Sequence, residues 1–371
     1  MIVPASTSSM PEPGPSRLRR LRQSALRTPD LSLLALILVI SAFATGTLPG
    51  FRSSANAYEL LNGSVVIAVL ALAETVVMVT RQIDLSVGAM LGLTAYIIGS
   101  ALRHLPGGAL NPILGFALAL GLGAALGLFN GLLVERLKMP AILATLATLS
   151  IYSGGLVIVT GGSQLYPYQL PPWLANLYLD QWGPVPVFTV IAAGAAVVLF
   201  WVMNHTRWGR DLYAIGSNPD AAIATGLPVR RRTYETFALC GALSGLAGLL
   251  YVGQYGNVDA SAGSGLELTA IAAAVIGGVS LFGGSGTALG AALGTFLLSE
   301  LEALLALEKV SIFAQQTLQG VAIVVSVAVY AYLRRFGTRR RPGGGGSAVR
   351  EPASINSVPG AESLIEHGEF E

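Results

Sequence analysis

Three carboxylates and one amide interrupt otherwise apolar runs: Glu74, Asp84, Asn130 and Glu267. A charged group near the middle of a bilayer costs about 2.5 to 3.5 kcal/mol, so Glu74 should face protein, a cavity or water. Glu74 could bind a solute or gate a path, or it could be a hydrogen-bonded packing residue. Asp84 follows Arg81 by three residues, which would let the two share one helical face, and both Asp84 and Glu267 suit a structural cap or an ion pair better than a solute site. Asn130 suits a hydrogen bond between helices better than a bond to a solute.

Several other chemistries lack the residues they need. No G-x-x-x-x-G-K-[ST] phosphate loop occurs, and the only lysines are Lys138 and Lys309. No serine, histidine and carboxylate set could meet at one depth, so an enzyme is not expected. The histidines are scattered, which predicts no metal site, and the lone Cys240 excludes an intrachain disulfide. A net charge of +2 gives no reason to expect nucleic-acid binding.

A polar segment at residues 206–232 contains the signals of one short helix. Asn218 is a good N-cap, Pro219 suits the first helical position, and Asp220 lies where the helix dipole favours an anion. Gly226 can end the helix in the left-handed conformation. A helix of about two turns is too short to be stable alone in water. The segment is therefore either a plug that docks on a soluble partner or an ordinary loop helix.

The elements around these residues are predicted to be membrane helices. The chain is 53% hydrophobic and 11% charged, with a mean hydropathy of +0.65. Runs of about 18 to 22 apolar residues suffice to cross roughly 30 Å of hydrocarbon. The expected fold is all-α, a polytopic membrane protein with about ten transmembrane helices. The predicted spans are Leu31–Leu48, Val65–Thr80, Leu85–Leu102, Pro112–Leu133, Ala141–Thr160, Val185–Met203, Tyr234–Val252, Leu268–Val279, Thr287–Leu305 and Gln316–Tyr332. The eighth span is short, so it need not cross the whole membrane.

The basic residues predict the orientation in the membrane. With the N-terminus inside, the inner segments hold all of the 22 Lys and Arg residues except Arg52, Arg103 and Lys309. This asymmetry follows the positive-inside rule, and an even number of spans lets both termini share the inner side. The loop Gly161–Pro184 has no Lys or Arg and belongs outside. Both termini and residues 206–232 are therefore predicted to be cytoplasmic.

Three regions follow from this organisation. Residues 1–29 are rich in Ser, Pro and Arg and are predicted to be a flexible basic N-terminus, and 336–371 to be a disordered tail. Residues 30–335 form the transmembrane domain. Spans two to five and seven to ten start from opposite sides of the membrane, so two four-helix units could be related as an inverted repeat.

The motifs of this chain, taken in order, resemble those of the ribose-type ABC importer permeases over about Ala57 to Arg334. The matching stretches are Ile83-Asp84-Leu85-Ser86-Val87-Gly88, Phe129-Asn130-Gly131-Leu132-Leu133, Pro140–Leu146, Gly209-Arg210 through Ala221-Ala222 and Gly226, and Glu267–Gly278. Any one of them is weak, whereas the run of all five at family spacing is specific. Arg81-Gln82 departs from the pattern, because many members have two glycines there. An Arg at this place is more similar to autoinducer-2 and rhamnose permeases than to ribose ones.

The resemblance implies a subunit of an importer that brings a monosaccharide-like solute of the ribose, rhamnose or autoinducer-2 type across a bacterial inner membrane. The implied partners are an ATP-binding cassette subunit, a periplasmic or extracellular sugar-binding protein, and a second permease copy or a paralogue. No cofactor is expected on this chain, since ATP and Mg²⁺ would bind the ATPase partner. Residues Asn218 to Gly226 correspond to the coupling helix that sits in a cleft of the ATPase.

The resemblance also suggests which residues would carry the function. The residues implied to couple to the ATPase are Gly209, Arg210, Asn218, Pro219, Asp220, Ala221, Ala222 and Gly226. Ala221 and Ala222 are expected to be exposed and small because the cleft leaves little room. Glu74, Asp84, Asn130 and Glu267 are the candidates for the solute path. The rival interpretation is a proton-coupled secondary transporter of a small polar solute, in which Glu74 would titrate.

Overall fold

The fold is described from a computed structural model, which describes residues 29–104 and 111–311 and the single positions 314, 317, 320, 321 and 324. The described elements lie in one compact unit, Met1–Ser326, and the remaining unit, Val327–Glu371, lies outside the described residues. The helices are α1 (Pro29–Thr47), α2 (Ser54–Met78), α3 (Val87–Leu102), α4 (Asn111–Arg136), α5 (Ala141–Thr160), α6 (Pro172–Leu179), α7 (Val187–His205), α8 (Arg207–Ser217), α9 (Pro219–Ala224), α10 (Val229–Tyr255), α11 (Leu266–Ile276) and α12 (Ala288–Leu307).

Within the described residues, seven helices are long and apolar enough to cross a membrane: α1, α2, α4, α5, α7, α10 and α12. Two shorter apolar helices, α3 and α11, have 16 and 11 residues. Nine of the predicted spans therefore coincide with helices in the predicted order, and the prediction of a short eighth span is confirmed. The tenth, Gln316–Tyr332, falls almost entirely outside the described residues, as do both predicted terminal regions.

Several helix boundaries differ from the predicted ones, because helices continue past the apolar run. α2 begins eleven residues before Val65, where the Ser53 side chain accepts a hydrogen bond from the Asn56 N–H. α10 likewise begins at Val229 and includes three arginines. Hydrophobicity marks the part of a helix that lies in hydrocarbon, whereas capping marks where the helix starts.

The central helices of the bundle are α2 and α10, and the peripheral ones present apolar side chains outward. Of the most apolar stretch of α2 and of α10, 72% is buried, against 17% for α1 and 22% for α4. Apolar outward faces on membrane-length helices are what a lipid environment requires. α2 and α10 therefore provide the frame on which the polar groups of the bundle are held.

α4 and α10 cross at glycines. A Cβ added at Gly127 would lie 2.9 Å from the Gly241 Cα, and one added at Gly241 would lie 2.7 Å from the Gly127 Cα. A Cβ added at Gly123 would lie 2.9 Å from the Gly245 Cα. Small residues four apart on each helix let backbones approach closely in membranes, where no hydrophobic effect drives helices together. This crossing is named the glycine crossing below.

The segment between α5 and α7 departs from the all-α pattern. It holds a 3₁₀ turn (Pro167–Gln169), α6, and a two-stranded antiparallel hairpin of β1 (Gln181–Trp182) and β2 (Val185–Pro186). The Tyr58 hydroxyl donates to the Tyr178 carbonyl at 2.9 Å, and Leu165 pairs with Val258 as an isolated bridge. These bonds tie the segment to α2 and to the loop before α11.

The two halves of the bundle share an order of helix lengths. α2, α3 and α4 have 25, 16 and 26 residues, and α10, α11 and α12 have 27, 11 and 20. A long, short, long order in each half is what the repeat predicts. The inverted relation between the two halves stays a prediction, because the fourth predicted span of the second half, Gln316–Tyr332, falls almost entirely outside the described residues.

Candidate functional site

Asp84 lies at the centre of a buried hydrogen-bond network, named the Asp84 network below. Its Oδ1 accepts from the Ser86 N–H at 2.9 Å and the Ser86 hydroxyl at 2.6 Å, and its Oδ2 accepts from the Asn130 amide at 2.9 Å. The Tyr152 hydroxyl donates to the Asn130 carbonyl oxygen at 3.1 Å, and the Cys240 thiol lies 3.9 Å from Oδ2. The network joins the turn after α2 to α4, α5 and α10. Asp84 is therefore a satisfied structural carboxyl, and the interhelical role predicted for Asn130 is confirmed.

Arg81 and Asp84 do not share the helical face that their spacing allowed. Arg81 has a φ of +66°, so the chain turns sharply after α2 and the two side chains part. The Arg81 guanidinium donates instead to the carbonyls of Gly216 and Ser217, at the end of α8. Spacing along a helix does not apply to residues that lie beyond its end.

Glu74 is fully buried in α2, with 0% of its surface exposed. Within the described part of the chain, neither side-chain oxygen has a side-chain donor, and the backbone N–H of Asp84 is the donor that lies near the carboxyl. A buried carboxyl with so few donors is costly, since it loses its water and gains little in return. Solute binding, gating and packing all stay predictions for Glu74.

Glu267 lies half-buried in the first turn of α11. Its carboxyl lies near the backbone N–H groups of Gly265 and Glu267 at the N-terminal end of the helix, where an anion is favoured. It also lines a cavity of about 260 Å³, together with Ser153, Ser261 and Ser264. Of the four predicted path residues, Glu267 is thus next to open space, whereas the other three have no exposed surface.

A larger cavity of about 700 Å³ adjoins the first, and the two share Ala260 and Ser261. Its polar lining includes Tyr96, Arg103, Gln164, Gln169 and Asp259. Hydrogen bonds from the Ser261 hydroxyl and N–H hold the pKa of Asp259 below its ordinary value. The carboxylate therefore stays ionised at neutral pH. Aromatic, amide and charged groups together can bind the hydroxyls of a small polar solute.

The polar segment forms two helices, where the sequence predicted one. The predicted cap is confirmed, since the Asn218 side chain accepts from the Ala221 N–H at 3.1 Å and Pro219 opens α9. Gly226 has a φ of +79°, as predicted for the end of that helix. The sequence interpretation missed α8, which Thr206 caps by accepting from the Gly209 N–H at 3.1 Å.

The predicted exposure of Ala222 is wrong. Ala222 is only 3% exposed, because α9 turns that face onto the protein, whereas its neighbour Ile223 is 62% exposed. Gly209 is also buried, and a Cβ there would collide with the Met203 backbone. Arg210, Asp220 and Ala221 are exposed as expected for a docking surface. An arginine at position 222 would therefore disturb the fold itself.

Ile223 borders a surface cavity of about 680 Å³ at the same end of the molecule. The cavity is lined by Glu135, Lys138, Ile223, Leu227, Pro228, Val229, Arg230, Arg231 and Tyr234. The lining is apolar at Ile223, Leu227 and Val229, and we call its basic residues Lys138, Arg230 and Arg231 the basic rim. We name α9 and this cavity together the α9 surface.

An ion-pair cluster fixes α8 against α10. The Arg232 guanidinium contacts Asp211 and Glu235, each at 2.7 Å, and the Trp208 indole N–H donates to Glu235 at 2.8 Å. Trp208 and Asp211 on α8 lie more than 20 residues before their partners on α10, so spacing alone did not reveal these contacts. The cluster therefore holds α8, and with it the adjoining α9, against α10.

Apolar helices of membrane length, a polar cavity between them and a capped helix pair at one end define an integral membrane protein built for solute transport. The chain belongs to the family described as the permease component of branched-chain amino acid transport systems, whose model matches residues 56–331. The resemblance to the ribose-type ABC importer permeases is thereby confirmed at the level of the family.

The relatives found are importer subunits. The chain is 36% identical to the autoinducer 2 import system permease protein LsrC of Enterobacter sp. (strain 638) over 325 residues, which cover 86% of this chain and 91% of the relative. It is 35% identical to LsrC of Klebsiella pneumoniae over 84% of this chain and 89% of the relative. LsrC of Yersinia pseudotuberculosis is 35% identical over 78% and 82%. No solved structure matches the chain at significant similarity.

Proposed function

We propose that this chain is the permease subunit of an ATP-driven importer that brings a monosaccharide-like solute of the autoinducer-2, ribose or rhamnose type into the cytoplasm. It acts in a bacterial inner membrane with both termini inside, beside a second permease copy or a paralogue. An ATP-binding cassette subunit hydrolyses ATP and holds its Mg²⁺, so the chain has no catalytic site. A periplasmic or extracellular binding protein delivers the solute.

The observation that carries this proposal is the exposed Ile223 on α9. A six-residue helix has no stability of its own, yet Asn218 caps it and Ala222 anchors it to the protein. Ile223 is 62% exposed and adjoins Leu227, Pro228 and Val229 in the lining of the neighbouring cavity, and such a contiguous apolar patch favours a binding partner over solvent. The basic rim at Arg230 and Arg231 favours an acidic border on that partner.

The cavities support a neutral, hydroxyl-rich solute. Glu267 and the three serines around the smaller cavity can accept and donate hydrogen bonds to hydroxyl groups. Among the described residues, no Lys or Arg lines the smaller cavity, and the larger one pairs a single Arg103 with Asp259, so the two together offer no net counter-charge to an anionic solute. The name of the relatives, autoinducer 2 import permease, agrees with a small solute of this kind.

The test is uptake by proteoliposomes that contain the chain, its ATPase subunit and the solute-loaded binding protein. Uptake of labelled autoinducer 2, ribose or rhamnose should require ATP and should continue when a protonophore collapses the proton gradient. Uptake that needs a proton gradient and no ATPase subunit would refute the proposal. The three solutes in parallel would identify the one carried.

A proton-coupled secondary transporter is the second candidate, favoured by the fully buried carboxyl of Glu74. The substitution Glu74→Gln keeps the shape of the side chain and removes its ionisation. An ATP-driven importer with this variant should transport normally from mildly acid to mildly alkaline pH. Loss of proton-driven uptake in Glu74→Gln would instead support the second candidate.

A further inference from the structure

Arg81 connects two parts of the molecule that the proposed function needs to move together. It follows α2 directly and has a φ of +66°, a backbone region that favours glycine. Its Nε donates to the Gly216 carbonyl at 2.5 Å, and its Nη2 donates to the Ser217 carbonyl at 2.6 Å. These are the last two residues of α8, and α9 begins two residues after Ser217.

The carbonyl groups at the C-terminal end of α8 favour the binding of a guanidinium. The last carbonyls of a helix lack partners within the helix, and the dipole makes this end negative. A planar guanidinium can donate to two adjacent carbonyls at once, whereas an ammonium or an amide holds one of them well. Arg81 therefore fixes the point between α8 and α9 by two charge-assisted bonds.

The backbone around Arg81 leaves little freedom of movement. The Gly284 N–H donates to the Val79 carbonyl at 2.9 Å, and a Cβ added at Gly216 would lie 2.6 Å from the Gly284 nitrogen. The Tyr213 hydroxyl donates to the Gly286 carbonyl at 2.7 Å. The turn after α2, the end of α8 and the glycine-rich loop before α12 thus meet in one packed contact. We name it the Arg81 junction.

On its other side, the junction continues into the Asp84 network. Asp84 lies three residues after Arg81 and is bonded to Asn130 on α4, whose oxygen accepts from Tyr152 on α5. A displacement of α8 and α9 would therefore be transmitted through Arg81 and the turn after α2 to α4 and α5. Among the described side-chain hydrogen bonds, no other guanidinium joins the end of α8 to the turn after α2.

We infer that Arg81 is the positioning residue that transmits movement of the α8–α9 pair to the membrane helices. This inference rests on the proposed function, because α9 must be moved by an ATPase partner. Arg81 does not contact the solute cavities and lies outside the α9 surface. Its loss should therefore uncouple transport from ATP hydrolysis while the partner still binds.

The test uses the complete complex of permease, ATPase subunit and solute-loaded binding protein in proteoliposomes. The variants are Arg81→Gln, Arg81→Lys and, as a matched control, Arg136→Gln, whose exposed side chain lies at the end of α4. Three quantities are measured: the ATPase subunit that co-purifies, ATP hydrolysis with and without loaded binding protein, and solute imported per ATP hydrolysed.

Arg81→Gln should retain the ATPase subunit and the basal hydrolysis, while import per ATP falls about tenfold or more. Arg81→Lys should fall between Arg81→Gln and the unmodified chain, because it keeps the charge and loses the fork. Arg136→Gln should match the unmodified chain.

Unchanged import per ATP in Arg81→Gln would overturn the inference. A loss of co-purified ATPase in proportion to the loss of import would also overturn it, since Arg81 would then only support the docking surface. Failure of the proposed function looks different: the unmodified chain would itself show no ATP-driven import.

Discussion

The glycine crossing predicts a large difference between two identical substitutions on one helix. Gly127→Ala would place a Cβ 2.1 Å from the Phe237 carbonyl oxygen and 2.9 Å from the Cα and the nitrogen of Gly241, all on the facing backbone. Gly121 lies on the same helix, and a Cβ there would have nothing within 4 Å. Both substitutions gain the same helix propensity, up to about 1 kcal/mol, so this gain cancels in the comparison.

The size of the effect follows from the separation the helices must adopt. A carbon atom 2.1 Å from a carbonyl oxygen must move by about 1 Å to reach ordinary contact, and a gap of that size between the helices forfeits about half of the dispersion energy between the facing atoms. Overpacking of a tight interior costs about 1 to 3 kcal/mol. Gly127→Ala should therefore be less stable than Gly121→Ala by about 1 to 3 kcal/mol.

The assay is unfolding by SDS in mixed micelles, followed by tryptophan fluorescence. Gly241→Ala should resemble Gly127→Ala, and the double variant should be destabilised by less than the sum, because both substitutions open the same contact. Equal stabilities of Gly127→Ala and Gly121→Ala would refute the close approach of α4 and α10. Transport should fall with Gly127→Ala as well, since Asn130 lies three residues further along α4.

Three further predictions concern the α9 surface, the Asp84 network and the orientation. Ile223→Asp should leave the unfolding midpoint nearly unchanged but weaken ATPase co-purification by about tenfold or more, with Ile223→Leu as the control; full retention in both would refute docking there. Asn130→Ala should destabilise the protein by about 2 to 3 kcal/mol, more than the roughly 1 kcal/mol of Tyr152→Phe, in the same SDS assay; the reverse order would contradict the network. In intact cells, an impermeant maleimide should label Tyr168→Cys and not Ser217→Cys, and the opposite pattern would invert the orientation.

Local signals in the sequence were enough to predict the parts of the fold that neighbouring residues determine. The two ends of α9 are set by residues a few positions away, namely the N-cap Asn218, the first-turn Pro219 and the left-handed Gly226. The apolar runs likewise located nine helices, because membrane length is a property of a continuous segment. The Ser53 cap shows the limit, since it starts α2 well outside the apolar run.

Contacts between distant segments could not be predicted in the same way. Which face of α9 is buried depends on the bundle beneath it, so the exposure of Ala222 was predicted wrongly and the exposed Ile223 was not singled out. Arg81 and Gly216 are 135 residues apart, and nothing in the sequence pairs them. The glycine crossing did leave a signal, because glycines four apart at Gly123 and Gly127 face glycines four apart on α10.

The same physical limitation explains both how this bundle is held together and how it can transmit movement. In lipid, helices gain little from burying apolar side chains against each other, so stability depends on close backbone packing and on satisfied polar bonds. Both are directional, and neither tolerates sliding of the kind that a layer of long apolar side chains permits. A push on α9 is therefore not absorbed locally. It passes through the Arg81 junction to the Asp84 network, where Asn130 lies beside the glycine crossing, and so reaches the two helices with the tightest contact. The contacts that stabilise the glycine crossing and the Asp84 network also transmit movement, so substitutions there should affect folding and transport together. Arg81 is exposed at the edge of the bundle, so its loss should lower transport much more than stability.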